Sequence, residues 1–208
     1  MPFKSDRDII RYSRQFLRGR ITLLRKDIGI CLTANRDGSH AYFPALITCI
    51  AFLELVAGLH AGKLDGVTQK DLEQYATRFM NAKHYDHVNL TVLYQGFRHK
   101  IAHLGHPYVT WKTERIYGAG KPARIAWTVF NTNRTLPIEL IAHAPRCLEH
   151  TMTPWAVQYD HRAKISIHRL KVDTVKSIYG PKGFLAYLAT EAHARARFAR
   201  CMEHYYPT

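Results

Sequence analysis

Apolar residues recur every three to four positions from Ser5 to about Thr33, at Ile9, Ile10, Phe16, Leu17, Ile21, Leu24 and Ile28, which predicts a long amphipathic helix with Ser5 or Asp6 as its cap. The opposite face carries Arg7, Arg11, Arg14, Arg18, Arg20, Arg25 and Lys26, read as a solvated face or a phosphate-facing stripe. Turn residues in ANRDGSHAY end this pattern. A second helix is predicted from about Pro44, placed in a first turn, to Leu64. Its core, Phe43 to Leu59, is the longest apolar stretch of the chain and contains Glu54. It falls short of the roughly 20 residues of a membrane span and reads as a buried core helix. Thr68, with Asp71 three residues on, has the form of a capping box for a third helix running to about Met80. A fourth run follows NAKHYDH, with Val88, Val92, Leu93, Phe97, Ile101 and Leu104, and is terminated by Gly105 and Pro107. Four such runs joined by short connections predict a four-helix up-and-down bundle over residues 1–108.

Beyond Tyr108 the periodicity changes. YVTWKTERIYG, RIAWTVFN and AKISIHRLKV read as strands of a small antiparallel sheet, with GAGK as the turn between the first two. A last helix is predicted from about Lys182 to His204, after the turn GPKG. No flexible linker separates the halves, so residues 109–208 are expected to pack on the bundle within one compact domain. The fold class is therefore mainly α, with a small β extension and a C-terminal helix.

Composition narrows the function classes. The 208 residues include 47% hydrophobic and 22% charged side chains, which suits a folded core and not a disordered chain. Lys and Arg number 30 against 16 Asp and Glu, for a net charge of +14, and a surplus of this size suits an acidic partner such as nucleic acid. It is spread along the chain, with 15 basic against 9 acidic residues to Thr110 and 15 against 7 thereafter. Cys31, Cys49, Cys147 and Cys201 form no C-x-x-C pair, so neither a disulfide framework nor a thiolate zinc site is expected. The opening MPFKSDRDIIRYSRQ shows charges every few residues and no apolar run, so the expectation is a cytoplasmic protein without a leader or a membrane partner.

Candidate chemistry is concentrated where the fourth run ends, in FRHKIAHLGHPY. RNA cleavage by its own 2′-hydroxyl requires a proton acceptor, a proton donor and positive charge at the phosphorane. His103 can move a proton near neutral pH, and Arg98 can hold two phosphate oxygens while keeping its charge. On an ideal α-helix, residues five apart are separated by about 140°, so these two must converge through the reach of Arg98 or a loosened helix end. His99 and His103 share a face.

The segment Arg98-His99-Lys100-Ile101-Ala102-His103 resembles the R-[polar]-x-x-x-H signature of HEPN domains, found late in a four-helix bundle. Phe97 before it, Ala102 before the His, and Gly105 and Pro107 after it also suit that pattern. The resemblance covers residues 5 to 108. It implies a homodimer in which two motifs face one another to form a metal-independent endoribonuclease, without cofactor. Arg98 and His103 would be the catalytic pair and His99 would assist; Lys100 and His106, in the same basic cluster, are read beside them as RNA contacts. It also implies a place in toxin or defence systems, with a neutralising antitoxin or regulatory partner.

Other chemistries fit less well. His99, His103 and His106 have spacing that could hold a divalent ion, but Lys100 stands where a metalloprotease has its glutamate. G-x-S-x-G is absent, and GAGK lacks the spacing of a phosphate loop. The alternative from another class is a non-catalytic nucleic-acid-binding or protein-interaction module, using basic faces and aromatics such as Trp111, Tyr117, Trp127 and Tyr179.

Overall fold

The computed structural model describes residues 3–36, 38–98, 110–112, 122–142, 148–149, 157–158 and 161–205. Helix α1 spans Asp6–Cys31, with the Ser5 side chain accepting from the Asp8 amide. Helix α2, Tyr42–Ala61, contains Pro44 in its first turn and ends three residues before the predicted Leu64, with Gly62 as its C-cap. The reason is local: Gly62 takes φ +82°, the left-handed region in which glycine ends helices. Helix α3, Gln69–Phe79, carries the complete Thr68/Asp71 capping box.

The fourth run departs from expectation. Among its described residues it is α-helical over His87–Thr91, as α4, and continues as a π-helix over Val92–Arg98, while the part from 99 to 107 lies outside the described residues. In that wider turn Val92, Leu93 and Phe97 are each fully buried, and α4 is tied to α3 by the hydrogen bond from the Gln69 side-chain amide to Thr91 Oγ1 and by the contact of His87 Nδ1 with Glu73 Oε1 at 2.7 Å.

The remaining elements are β1 (Thr110–Lys112), β2 (Pro122–Phe130), β3 (Ile138–Ala142), β4 (Leu148–Glu149), β5 (Val157–Gln158), β6 (His161–Ser166), α5 (Ile167–Tyr179), α6 (Phe184–Thr190) and α7 (Ala192–Tyr205). The main sheet has the order β1-β2-β6-β3 and is mixed, not purely antiparallel: β2 and β6 run parallel, from Ile125 opposite His161 to Phe130 opposite Ser166. Parallel neighbours need a long crossover, which the 30 residues between β2 and β6 supply, with β3 returning antiparallel on the other side of β6. AKISIHRLKV is not one strand. Ser166 ends β6 and caps α5 by accepting from the Arg169 amide, so Ile167, Leu170, Thr174 and Ile178 follow a helical repeat and are buried. The expected single last helix is two, because the backbone is extended at Glu191. The GPKG segment is the turn before α6, closed by Gly183 N–H donating to the Gly180 carbonyl. GAGK lies outside the described residues.

Helix α2 is long and apolar enough to cross a membrane by length and composition, but Leu46, Ile50, Leu53, Val56 and Leu59 are all fully buried within the fold. A helix apolar on nearly every side needs partners on every side. Helix α2 has them in α1, α3, the π-helix, β2, α5 and α7. One core cluster accordingly joins Leu17 of α1 and Leu53 of α2 to Phe184 of α6 and Phe198 of α7. The first four helical runs are not packed as a unit apart from the C-terminal helices.

Candidate active site

The site is built around the end of the π-helix. Phe97 fixes its orientation: the ring is fully buried and stands edge-on to Phe43 of α2 at 5.5 Å and Trp127 of β2 at 5.4 Å. With Phe97 anchored inward, Arg98 turns to the boundary between core and solvent. Its guanidinium Nη2 lies 2.9 Å from Oε2 of Glu54, and the two side chains are 34% and 11% exposed. Glu54 is the acid inside the apolar run of α2, and its other oxygen, Oε1, is buried without a hydrogen-bond partner.

Burial sets the electrostatics. It pushes the Glu54 carboxyl above its ordinary pKa, while the charge and hydrogen bond of Arg98 pull it partly back. The Tyr94 phenol, one turn before Arg98, is also raised, first by burial and then by the Glu54 charge. Its hydroxyl donates to the Val67 carbonyl at 2.7 Å. Tyr94 thereby ties the π-helix to the loop between α2 and α3, and the Arg98 guanidinium carbon sits 5.8 Å from its ring centre.

That loop, with α2 and the π-helix, encloses a pocket of about 440 Å³, whose wall includes Glu54, Leu64, Asp65, Gly66, Tyr94 and Arg98. The loop can double back here because Gly62 and Gly66 both take positive φ. Lys63 bridges to Asp71 at 2.9 Å, and the Asp65 amide donates to the Tyr205 hydroxyl, fastening the loop to α3 and α7. The pocket therefore holds one cation and one carboxylate in contact, beside a phenol and a second carboxylate. Such a set can bind a polar ligand by charge-assisted hydrogen bonds.

Of the residues singled out in the sequence, Arg98 is in this pocket. His99, Lys100, His103 and His106 lie outside the described residues. Among the described residues no group of three His, Cys, Asp or Glu side chains could hold a metal ion. Of the aromatics, Trp127 is partly buried against the core and Tyr179 is 47% exposed. Glu54 and Tyr94 were not anticipated as site residues. The signal for Glu54 was present, since a lone carboxylate in a buried apolar helix needs a cationic partner.

No family model, no curated protein and no solved structure matches the chain.

Proposed function

We propose that the protein is a metal-independent endoribonuclease that cleaves RNA by attack of the 2′-hydroxyl. The observation that carries this reading is the placement of Arg98, the first residue of the R-H-x-x-x-H motif, at the end of a π-helix and on the wall of an open pocket. π-Turns are concentrated at functional sites. In this reading Arg98 stabilises the phosphorane charge, His103 transfers the proton, His99 assists, and Lys100 and His106 hold the RNA. The resemblance to HEPN domains adds a homodimer as the working unit, in the manner of symmetric oligomers. It also adds a place among toxins or defence factors, with a partner that restrains the activity.

One observation favours a second reading. The Arg98 guanidinium is already paired with Glu54, as a structural arginine would be, and the chain would then be a non-catalytic nucleic-acid-binding or interaction module. Arg98→Ala and His103→Ala separate the two, provided circular dichroism and thermal melting show the variants folded. An enzyme loses turnover by at least 100-fold in each variant while RNA affinity falls little, in line with the 10²–10⁴-fold typical of acid–base groups. A binding module shows graded losses of affinity and no turnover in any form.

A further inference from the structure

Helix α1 presents its arginines in a pattern that its amphipathic role does not require. Arg7, Arg11, Arg14, Arg18 and Arg25 are spaced by four, three, four and seven residues. At 100° per residue this places all five within about 60° of one another, in a straight row about 27 Å long. All five are exposed. Arg11 is paired with Asp8 at 3.0 Å. Arg7, Arg14, Arg18 and Arg25 have no acidic partner among the described residues, whereas Arg98, Arg169 and Arg195 are each bridged to a carboxylate. A groove of about 690 Å³ runs along the first four, with Ile10 and Gln15 in its wall.

Like charges gathered on one stripe repel one another, so the row is costly to keep unless a polyanion meets it. The steps along the helix axis, about 4.5–6 Å from Arg7 to Arg18, suit a ligand whose negative charges repeat along a line. Guanidinium groups bind phosphate oxygens in pairs. A membrane surface suits the row less well. The apolar stripe of α1, with Leu17, Ile21, Leu24 and Ile28, is buried in the core and is not available to enter lipid. Nor does the row offer a stacking platform, because Tyr12 and Phe16 pack against the core. The contacts would therefore be to backbone and not to bases.

We infer that the arginine row of α1 is a binding track for the sugar-phosphate backbone of RNA, independent of base sequence and separate from the Arg98 pocket. This rests on the reading of RNA as the ligand of the chain, but not on turnover. It is tested with a fluorescent 20-nucleotide 2′-O-methyl oligouridine, which cannot be cut by 2′-hydroxyl attack, so failure of the track and failure of the catalytic reading remain distinguishable.

Binding is measured against salt for the wild-type chain, for Arg14→Ala/Arg18→Ala/Arg25→Ala, and for a charge-matched control, Lys70→Ala/Lys176→Ala/Arg200→Ala, at exposed sites off the row. Alanine is the best helix former, and circular dichroism confirms that the helices are kept. With about 0.7 counterions released per phosphate contact on a single strand, the track variant loses about 2 from the slope of log affinity against log salt. Its affinity falls at least tenfold at low salt, and the control changes by less than threefold. Equal losses in the two triple variants would show diffuse attraction and overturn the track, as would wild-type affinity in the row variant. Tighter binding of the row to vesicles containing anionic lipid than to the oligonucleotide would also overturn it.

Discussion

Glu54 and Gly62 decide, at the level of single residues, whether the pocket keeps its shape. Gly62 closes α2 at φ +82°, and a Cβ there would lie 3.0 Å from Cγ of Arg197. Gly62→Ala is expected to cost about 1–2 kcal/mol, the penalty of a left-handed backbone for a non-glycine residue, plus whatever Arg197 must yield. Urea unfolding reads this directly, and an unchanged midpoint would contradict it. Glu54 gives a pH signature. Its folded carboxyl holds a proton above the ordinary pKa of 4.5, so from about pH 4.5 up to the raised value the folded state binds more protons than the unfolded one. Stability then falls as pH rises through that window. The difference in urea midpoint between wild type and Glu54→Gln should therefore move in favour of the variant as pH rises from about 4 to 7. A difference independent of pH would contradict the assignment.

Capping at the level of elements explains both what the sequence made legible and what it concealed. The Thr68/Asp71 box was readable because both partners and their spacing are local, and both bonds are formed. Thr68→Ala should cost about 1 kcal/mol, as a lower thermal midpoint with unchanged helix content. Helix α1 was readable for a similar reason, since its repeat continues through Leu17, Ile21, Leu24 and Ile28. The strand-to-helix change at Ser166 was concealed, because AKISI alternates and IHRLKV follows without a break in apolar content. Only the tertiary setting makes Ser166 a cap. The five-residue strand β3 and the parallel β2–β6 pairing depend on partners remote in sequence, which local patterns do not encode. The π-helix was also beyond pattern reading, because inward positions such as Val92, Leu93 and Phe97 fit an α-repeat equally well. As for the site, Arg98 was legible as a motif residue. Its partner Glu54 stands 44 positions earlier in the chain, and only the packing of α2 against the π-helix brings the two together.

Across the whole molecule, one core joins the N-terminal and C-terminal helices, and His60 lies where they meet. Its ring faces Tyr75 and Phe79 of α3 and Phe184 and Tyr187 of α6, with centroids 5.3–6.3 Å away. Its Nδ1 is buried without a partner. Burial pushes the imidazole pKa from 6.5 down to about 4, and Arg197, Arg78 and His193 add to this. The unfolded state therefore binds more protons than the folded one between about pH 6.5 and 4, and stability falls as pH drops through that window. His60→Leu should flatten this acid limb of the stability profile, and a limb as steep as wild type would contradict the argument.

We propose that this chain cuts RNA through Arg98 and His103. The decisive experiment is incubation of purified protein with a mixed single-stranded and structured RNA in EDTA, with analysis of the product ends. Fragments carrying 2′,3′-cyclic phosphate and 5′-hydroxyl ends are expected from the wild-type chain, and none from folded Arg98→Ala or His103→Ala. Intact RNA with all three folded proteins, or equal cleavage by all three, would contradict the proposal.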